Sequence, residues 1–517
     1  MRSLASTILF AAISLLFVPP ASAQISLNDL PDAQGNSRFY DDPLEGPNGN
    51  SVVDHPSLTL NGFDSGPDNG LGLKQILEKV YNTSDPTVEP VWGKLVILAS
   101  DGGFEHSPSS RGDIIGNTRR MQTRAFLALA TYVIKRNGEG QVLDNLPSEI
   151  KTPDKAADRL RSALTNTDAW RINKDWKEDG VKWTGVLENM ARTMDLYLAL
   201  ENAYCYYGNQ GHTPSQQECS GATTNRLLSE GEKGDVFAHF GEQIKSLESS
   251  PNWKIPDDIG TSRYHTDPGN WPLKVQTAIG YASLTHQTVN PATGVPPAVV
   301  QDHVDRALKA NFAYSGGNRD LRHYWGYQTD DGKRFWAEGP FYFRYALRDV
   351  LPFWHAVCVN GMLDYHPDFN APDPFDHPRF TKPLDWLADL TTPEGENPPL
   401  DDGNKRSMRV SMLLRWTGAY SEADTLGQKF AWIANRQNEN YGARQDLLPI
   451  EIAIPRLEVS ETPPASHVGG NQQIIARHSS GGQDHYVLLN GESGAANVRG
   501  EGHEQPDQLQ LLYYVND

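Results

Sequence analysis

Between residues 91 and 441, apolar residues recur at spacings of three and four in several long stretches. That spacing lines them up along one side of a helix, so it predicts helices at 121–135, 183–206, 271–286, 299–313, 342–359 and 423–435. The second of these, WTGVLENMARTMDLYLALENAYCYY, has no Pro and no Gly after Gly185. Pro and Gly gather between the stretches instead, in PNWKIPDDIG, NPATGVPP and NPPLDDGN. The pattern predicts helix pairs joined by polar loops. No repeat of fixed length runs through it, which argues against tetratricopeptide and ankyrin arrays and leaves a bundle or an α/α toroid.

After about residue 446 the texture changes. IEIAIPRLEV, NQQIIARHS and DHYVLLNGES are β-branched or alternating runs split by Gly, Pro and Ser, and the last run, LQLLYYV, is similar. These read as antiparallel strands. Helices first and strands afterwards give an α+β chain with two domains, at 91–445 and 446–517. About 70 residues of strand-like sequence make the β part short or truncated. Residues 24–90 are rich in Asp, Asn, Gly and Pro and read as a polar arm, with no complete calcium-loop pattern. Residues 1–23 read as a secretory signal: Arg2, a short apolar run, then Ala21-Ser22-Ala23 as the cleavage site. The apolar run is shorter than the ~20 residues a spanning helix needs. The expected location is therefore secreted or periplasmic, with no membrane partner.

Charge narrows the function. Lys and Arg number 46 and Asp and Glu 65, a formal net charge of −19. Bulk attraction to nucleic acid is excluded, and an anionic ligand calls for a local basic patch. Three clusters qualify: Arg119, Arg120 and Arg124; Arg322 with His323; and Lys405, Arg406 and Arg409. Three cysteines are too few for a disulfide scaffold. Cys205 and Cys219 share a loop-like stretch and are placed to pair in an oxidising compartment, whereas Cys358 lies in an apolar helical pattern and reads as a buried thiol. GxSxG, HExxH and phosphate-loop motifs are absent from the sequence.

The densest chemical signal is DDGKRFWAEGPFYFRYALRDVLPFWHAV, residues 330–357. A polar turn leads through Glu338 and Gly339 to Pro340, which suits the first turn of a helix. Tyr342 and Tyr345 then lie three apart, and Arg344 and Arg348 four apart. The plain alternative is a helix whose aromatics are core.

EGPFYFRYAL resembles the EGPxYxxYA stretch of the heparinase II/III-like polysaccharide lyases, and especially of their alginate-lyase relatives. GNWPLKVQTAIGYASL is similar to that family's Asn-containing helix start, and GESGAANVRGEGHEQPDQLQLLYY to the surroundings of its HxHxD motif. NPPLDDGN is a weaker echo of a toroid loop. The resemblance runs from roughly residue 100 onwards and implies an incomplete α/α toroid followed by an antiparallel β-sandwich. It also implies β-elimination at a uronic acid. Such an enzyme neutralises the uronate carboxylate, removes the C5 proton and protonates the leaving glycosidic oxygen.

On this resemblance Asn270 matches the carboxylate-neutralising position, Tyr342 the catalytic tyrosine with Tyr345 next, and His503 and Asp507 the first His and the Asp of HxHxD. Trp271, Glu338, Arg344 and Arg348 are assigned to substrate binding. A tyrosine, ordinarily titrating near pH ~10, needs cations nearby to act as a base, and Arg334, Arg344 and Arg348 are candidates. Where relatives carry a zinc-binding His, this chain has Gln505, a poor zinc ligand, so no metal and no cofactor is expected. The partner implied is an anionic polysaccharide. Asn270 also reads as a simple helix cap and His503 as a surface-turn histidine. Two other functions stay open. One is a glycoside hydrolase pairing Glu338 with Asp330, Asp331, Asp401 or Asp402. The other is a non-catalytic or remnant glycan-binding protein.

Overall fold

A computed structural model describes residues 111–136, 152–172, 183–208, 227–250, 253, 270–289, 302–303, 306–307, 311, 327–328, 334–335, 339–359, 378–400, 425–436, 463–468, 473–490 and 510–516. The predicted leader, the polar arm and the IEIAIPRLEV run lie outside these residues. So do Cys219 and the basic clusters at 322–323 and 405–409.

Three helices are buried on nearly every side along their middles: α1 (Arg111–Arg136), α3 (Thr184–Gly208) and α5 (Asn270–Val289). A helix without a solvated face needs neighbours all round, and these three form the centre of the helical part. Two amphipathic helices alternate with them along the chain, α2 (Pro153–Thr165) and α4 (Glu230–Glu248), and turn charged faces outward. Both start on a well-made cap. The Thr152 hydroxyl accepts from the Lys155 N–H before Pro153, and Ser229 forms a capping box with Glu232. α1 packs on α3, α3 on α5, and α5 on α6 (Gly339–Val359).

The contacts fix the direction of packing. Thr184 at the start of α3 and Lys274 near the start of α5 meet through Asp349 of α6. Two turns further along both helices, the Arg192 guanidinium lies 6.0 Å from the centre of the Tyr281 ring. One turn after Lys274 on the same side of α5, Thr277 reaches Trp354 of α6 through Asn311. Helices α3, α5 and α6 therefore run in the same direction, and their N-terminal ends face the same way. Gly280 lets His303 and Ala307 close on α5, because a Cβ there would collide with the Ala307 methyl.

A two-residue hairpin, β1 (Tyr327–Gln328) with β2 (Arg334–Phe335), precedes α6. Helices α7 (Pro378–Asp389) and α8 (Thr425–Arg436) follow, with β2 against α7. The last four strands, β3 (His467–Val468), β4 (Gln473–Ser480), β5 (Gln483–Asn490) and β6 (Gln510–Asn516), form one antiparallel sheet in chain order. Gly481 and Gly482 close the β4–β5 hairpin at φ +62° and +84°, the left-handed pair that a two-residue turn of this hand requires.

One face of this sheet is pinned to α7 and the turn after it. The Trp386 indole donates to Gln473 at 2.9 Å, and Gln473 donates to Asn490 at 3.1 Å. Arg477 donates to the Asp389 carbonyl at 2.6 Å, and the Tyr486 hydroxyl to the Leu390 carbonyl at 2.9 Å. Burial pushes the Tyr486 phenol far above its ordinary pKa, although Arg477 opposes this, so it stays a donor. The other face leaves Ile474, Leu511, Tyr513 and Val515 exposed.

Five of the six predicted helices are present as elements. The sixth, at 299–313, is described only at a few helical positions. Helices α2, α4 and α7 lie beyond the six. All three carry charge along much of their length, and α7 has Pro383 inside it, so each gives a weaker periodic signal.

Candidate functional site

α5 begins at Asn270 itself, and Pro272 follows in the first turn, where a missing N–H costs nothing. α6 begins at Gly339-Pro340 for the same reason. Tyr342 and Tyr345 lie in its first two turns, both half-buried. The side chains of Arg344 and Arg348, on the same helix, and those of Asn270 and Trp271 lie outside the described residues, as do Glu338, His503, Gln505 and Asp507 entirely.

Lys274 joins the two helix starts. It lies one turn after Asn270 and has no exposed surface. Its ammonium forms an ion pair with Asp349, also without exposed surface. It donates to the Tyr345 backbone carbonyl at 3.2 Å and lies 3.6 Å from the centre of the Tyr345 ring. Thr184 donates to the same Asp349 oxygen at 3.4 Å. A buried ammonium is tolerated when it is paired and hydrogen-bonded, and Lys274 meets both conditions. The ring adds the attraction of a cation for an aromatic face. Four side chains from α3, α5 and α6 thus form one contact set, one turn inside the Asn270 end of α5.

The opposite side of the tyrosine turn meets the sheet-bearing part. Phe343, fully buried, packs 6.2 Å from Trp386 of α7, the residue whose indole bonds Gln473 of β4. The start of α6 is therefore gripped by α5 on one side and by α7 with the sheet behind it on the other. Among the basic clusters, Arg124 is buried and Arg119 and Arg120 are half-buried on α1. Among the described residues no group of three or more His, Cys, Asp or Glu is arranged to hold a metal, and no helix is long and apolar enough to cross a membrane.

Sequence reasoning singled out Asn270 and the two tyrosines but passed over Lys274, Asp349 and Thr184. A signal was present: Lys274 is a lone charge in LKVQTAIGYA, and Asp349, beside Arg348, is the one acidic residue in YALRDVLPFW. Two such charges of opposite sign, on helices that pack together, are each other's natural partners. No protein-family model matches the chain, and no curated protein matches it.

Proposed function

We propose that this chain is an exported polysaccharide lyase that cleaves a uronic-acid-containing glycan by β-elimination. The observation that carries the reading is the Lys274 contact, which sets the Asn270 end of α5 beside the tyrosine turn of α6. In this reading the Asn270 amide binds the uronate carboxylate and stabilises charge as C5 loses its proton. Tyr342 takes that proton, with Tyr345 beside it, and a phenol returns a proton to the leaving glycosidic oxygen. His503 assists, and Trp271, Glu338, Arg344 and Arg348 bind the neighbouring sugars. The reaction needs no metal or cofactor.

The electrostatics of the helix starts support an anionic substrate. Three helices, α3, α5 and α6, point their N-terminal ends the same way, and each end carries a partial positive charge of about half a unit. Such a field favours a polyanion even on a chain whose net charge is −19. The architecture of the proposal is an incomplete α/α toroid with an antiparallel β-sandwich. The alternation of central and outer helices supports the first part. The exposed apolar face of the sheet, with Ile474, Leu511, Tyr513 and Val515, supports the second, since each sheet of a sandwich buries such a face against its partner.

The test is direct. The purified chain is incubated with a panel of uronic-acid polysaccharides, and the ultraviolet absorbance of the unsaturated uronate product is followed. The expected result is a rise on at least one substrate, and a loss of at least about 100-fold in Tyr342→Phe with folding intact. New reducing ends without absorbance would replace the lyase with a hydrolase. Binding without turnover would replace it with a glycan-binding protein.

A further inference from the structure

We propose that Lys274 is a positioning residue for this reaction, holding the tyrosine turn of α6 in register with the start of α5. The inference rests on the lyase reading above. Its ground is the way the ammonium spends its contacts. One goes to Asp349, which Thr184 of α3 also holds. A second goes to the main-chain carbonyl of Tyr345, and the third is the face of the Tyr345 ring. The carbonyl contact fixes the backbone of the turn, and the ring contact fixes the side-chain plane.

An ion pair present only to stabilise the packing would need neither of the last two. Lys274 is also the first residue of α5 past Asn270 by one full turn, so it lies on the same side of that helix. Any shift of the Lys274 side chain therefore moves the tyrosines relative to the amide that binds the carboxylate. Proton abstraction is sensitive to displacements of this kind: about 1 Å of misplacement costs on the order of 100-fold in rate.

The experiment separates position from stability. Lys274→Met alone leaves Asp349 buried and unpaired and is expected to lower stability along with activity. The deciding variant is Lys274→Met with Asp349→Asn, which removes both charges while keeping volume and an acceptor for Thr184. Melting temperature and circular dichroism of this double variant should match the wild type. Its kcat on the responsive polysaccharide should be about 10- to 100-fold lower, with KM within about twofold, because substrate binding is retained and only the reacting geometry is lost.

If the double variant recovers wild-type kcat together with wild-type stability, Lys274 is structural only and the inference is overturned while the lyase assignment stands. If KM rises and kcat holds, the residue serves substrate binding, and the inference is again overturned. If the wild type itself turns over no uronate, the lyase reading falls and this inference with it.

Discussion

Glu232 shows how much a single exposed side chain can do on this chain. Its carboxylate accepts from Arg161 Nε and Nη2 at 3.1 and 2.8 Å, and from the Ser229 N–H at 2.9 Å. The Arg161 guanidinium, followed by the Ser229 backbone and hydroxyl, holds its pKa down at about 2. The unfolded chain binds that proton near the ordinary value of 4.5, so the folded state is favoured wherever Glu232 is charged. The contribution is complete above pH 4.5 and is lost as pH falls through 2. Melting curves of wild type and Glu232→Gln should therefore differ at pH 6 and converge on acidification across that window. A gap that persists unchanged at pH 2 would show that the charge is not the source. Ser229 with Glu232 three residues later is a capping box readable from sequence, but Arg161 is 71 residues away and no local pattern names it. The same limit hid Lys274, whose partner Tyr345 is also 71 residues distant, while the Tyr342–Tyr345 pair was legible because both residues share one helix turn.

At the scale of elements, legibility followed burial. Helices α1, α3, α5 and α6 keep long apolar patterns because each packs against at least one other helix along its length, and all four were foreseen. The outer helices alternate charge with burial and were not. Strands β4, β5 and β6 were foreseen too, since alternation and the Gly481-Gly482 turn leave few other structures open. What no periodicity shows is how close two elements come. Gly280 sits mid-helix in α5, where propensity alone would make Ala the better residue by about 1 kcal/mol. The structure reverses that expectation, because a methyl there meets the Ala307 methyl and the backbone behind it. Gly280→Ala should destabilise the chain by about 1–3 kcal/mol in urea unfolding, the range for overpacking a close contact. A gain in stability would mean that Ala307 does not rest on α5. Ser283, in the next turn of α5, bonds His303 at 2.7 Å across the same approach, so the loss should extend to that pair.

At the scale of the whole molecule, the order of helices then strands was legible from the change of periodicity, and the way the two parts join was not. The junction is made by polar groups reaching backbone: Arg477 to the Asp389 carbonyl, Tyr486 to the Leu390 carbonyl, and Trp386 to Gln473. Lys429 of α8 ties the same corner by bridging Asp385 and Asp389; burial pulls its pKa down, but the two carboxylates outweigh it and hold it above the ordinary value. The two members of each pair lie far apart in sequence, yet together these bonds make the sheet and α7 one mechanical unit. Phe343 against Trp386 then extends that unit to the start of α6, where the proposed tyrosines lie. A substitution in the sheet should accordingly be felt by the helices. Tyr486→Phe keeps the ring and removes the hydroxyl, leaving the Leu390 carbonyl without that donor in a buried place. The expected cost is about 1–2 kcal/mol. Because the junction couples the parts, helical circular dichroism and the opening of sheet amides to hydrogen exchange should move to lower urea together, with one shared midpoint. Were the sheet amides alone to open at lower urea while the helical signal stayed at the wild-type midpoint, the sheet would be an independent folding unit. The tyrosine turn of α6 would then owe its position to α5 alone.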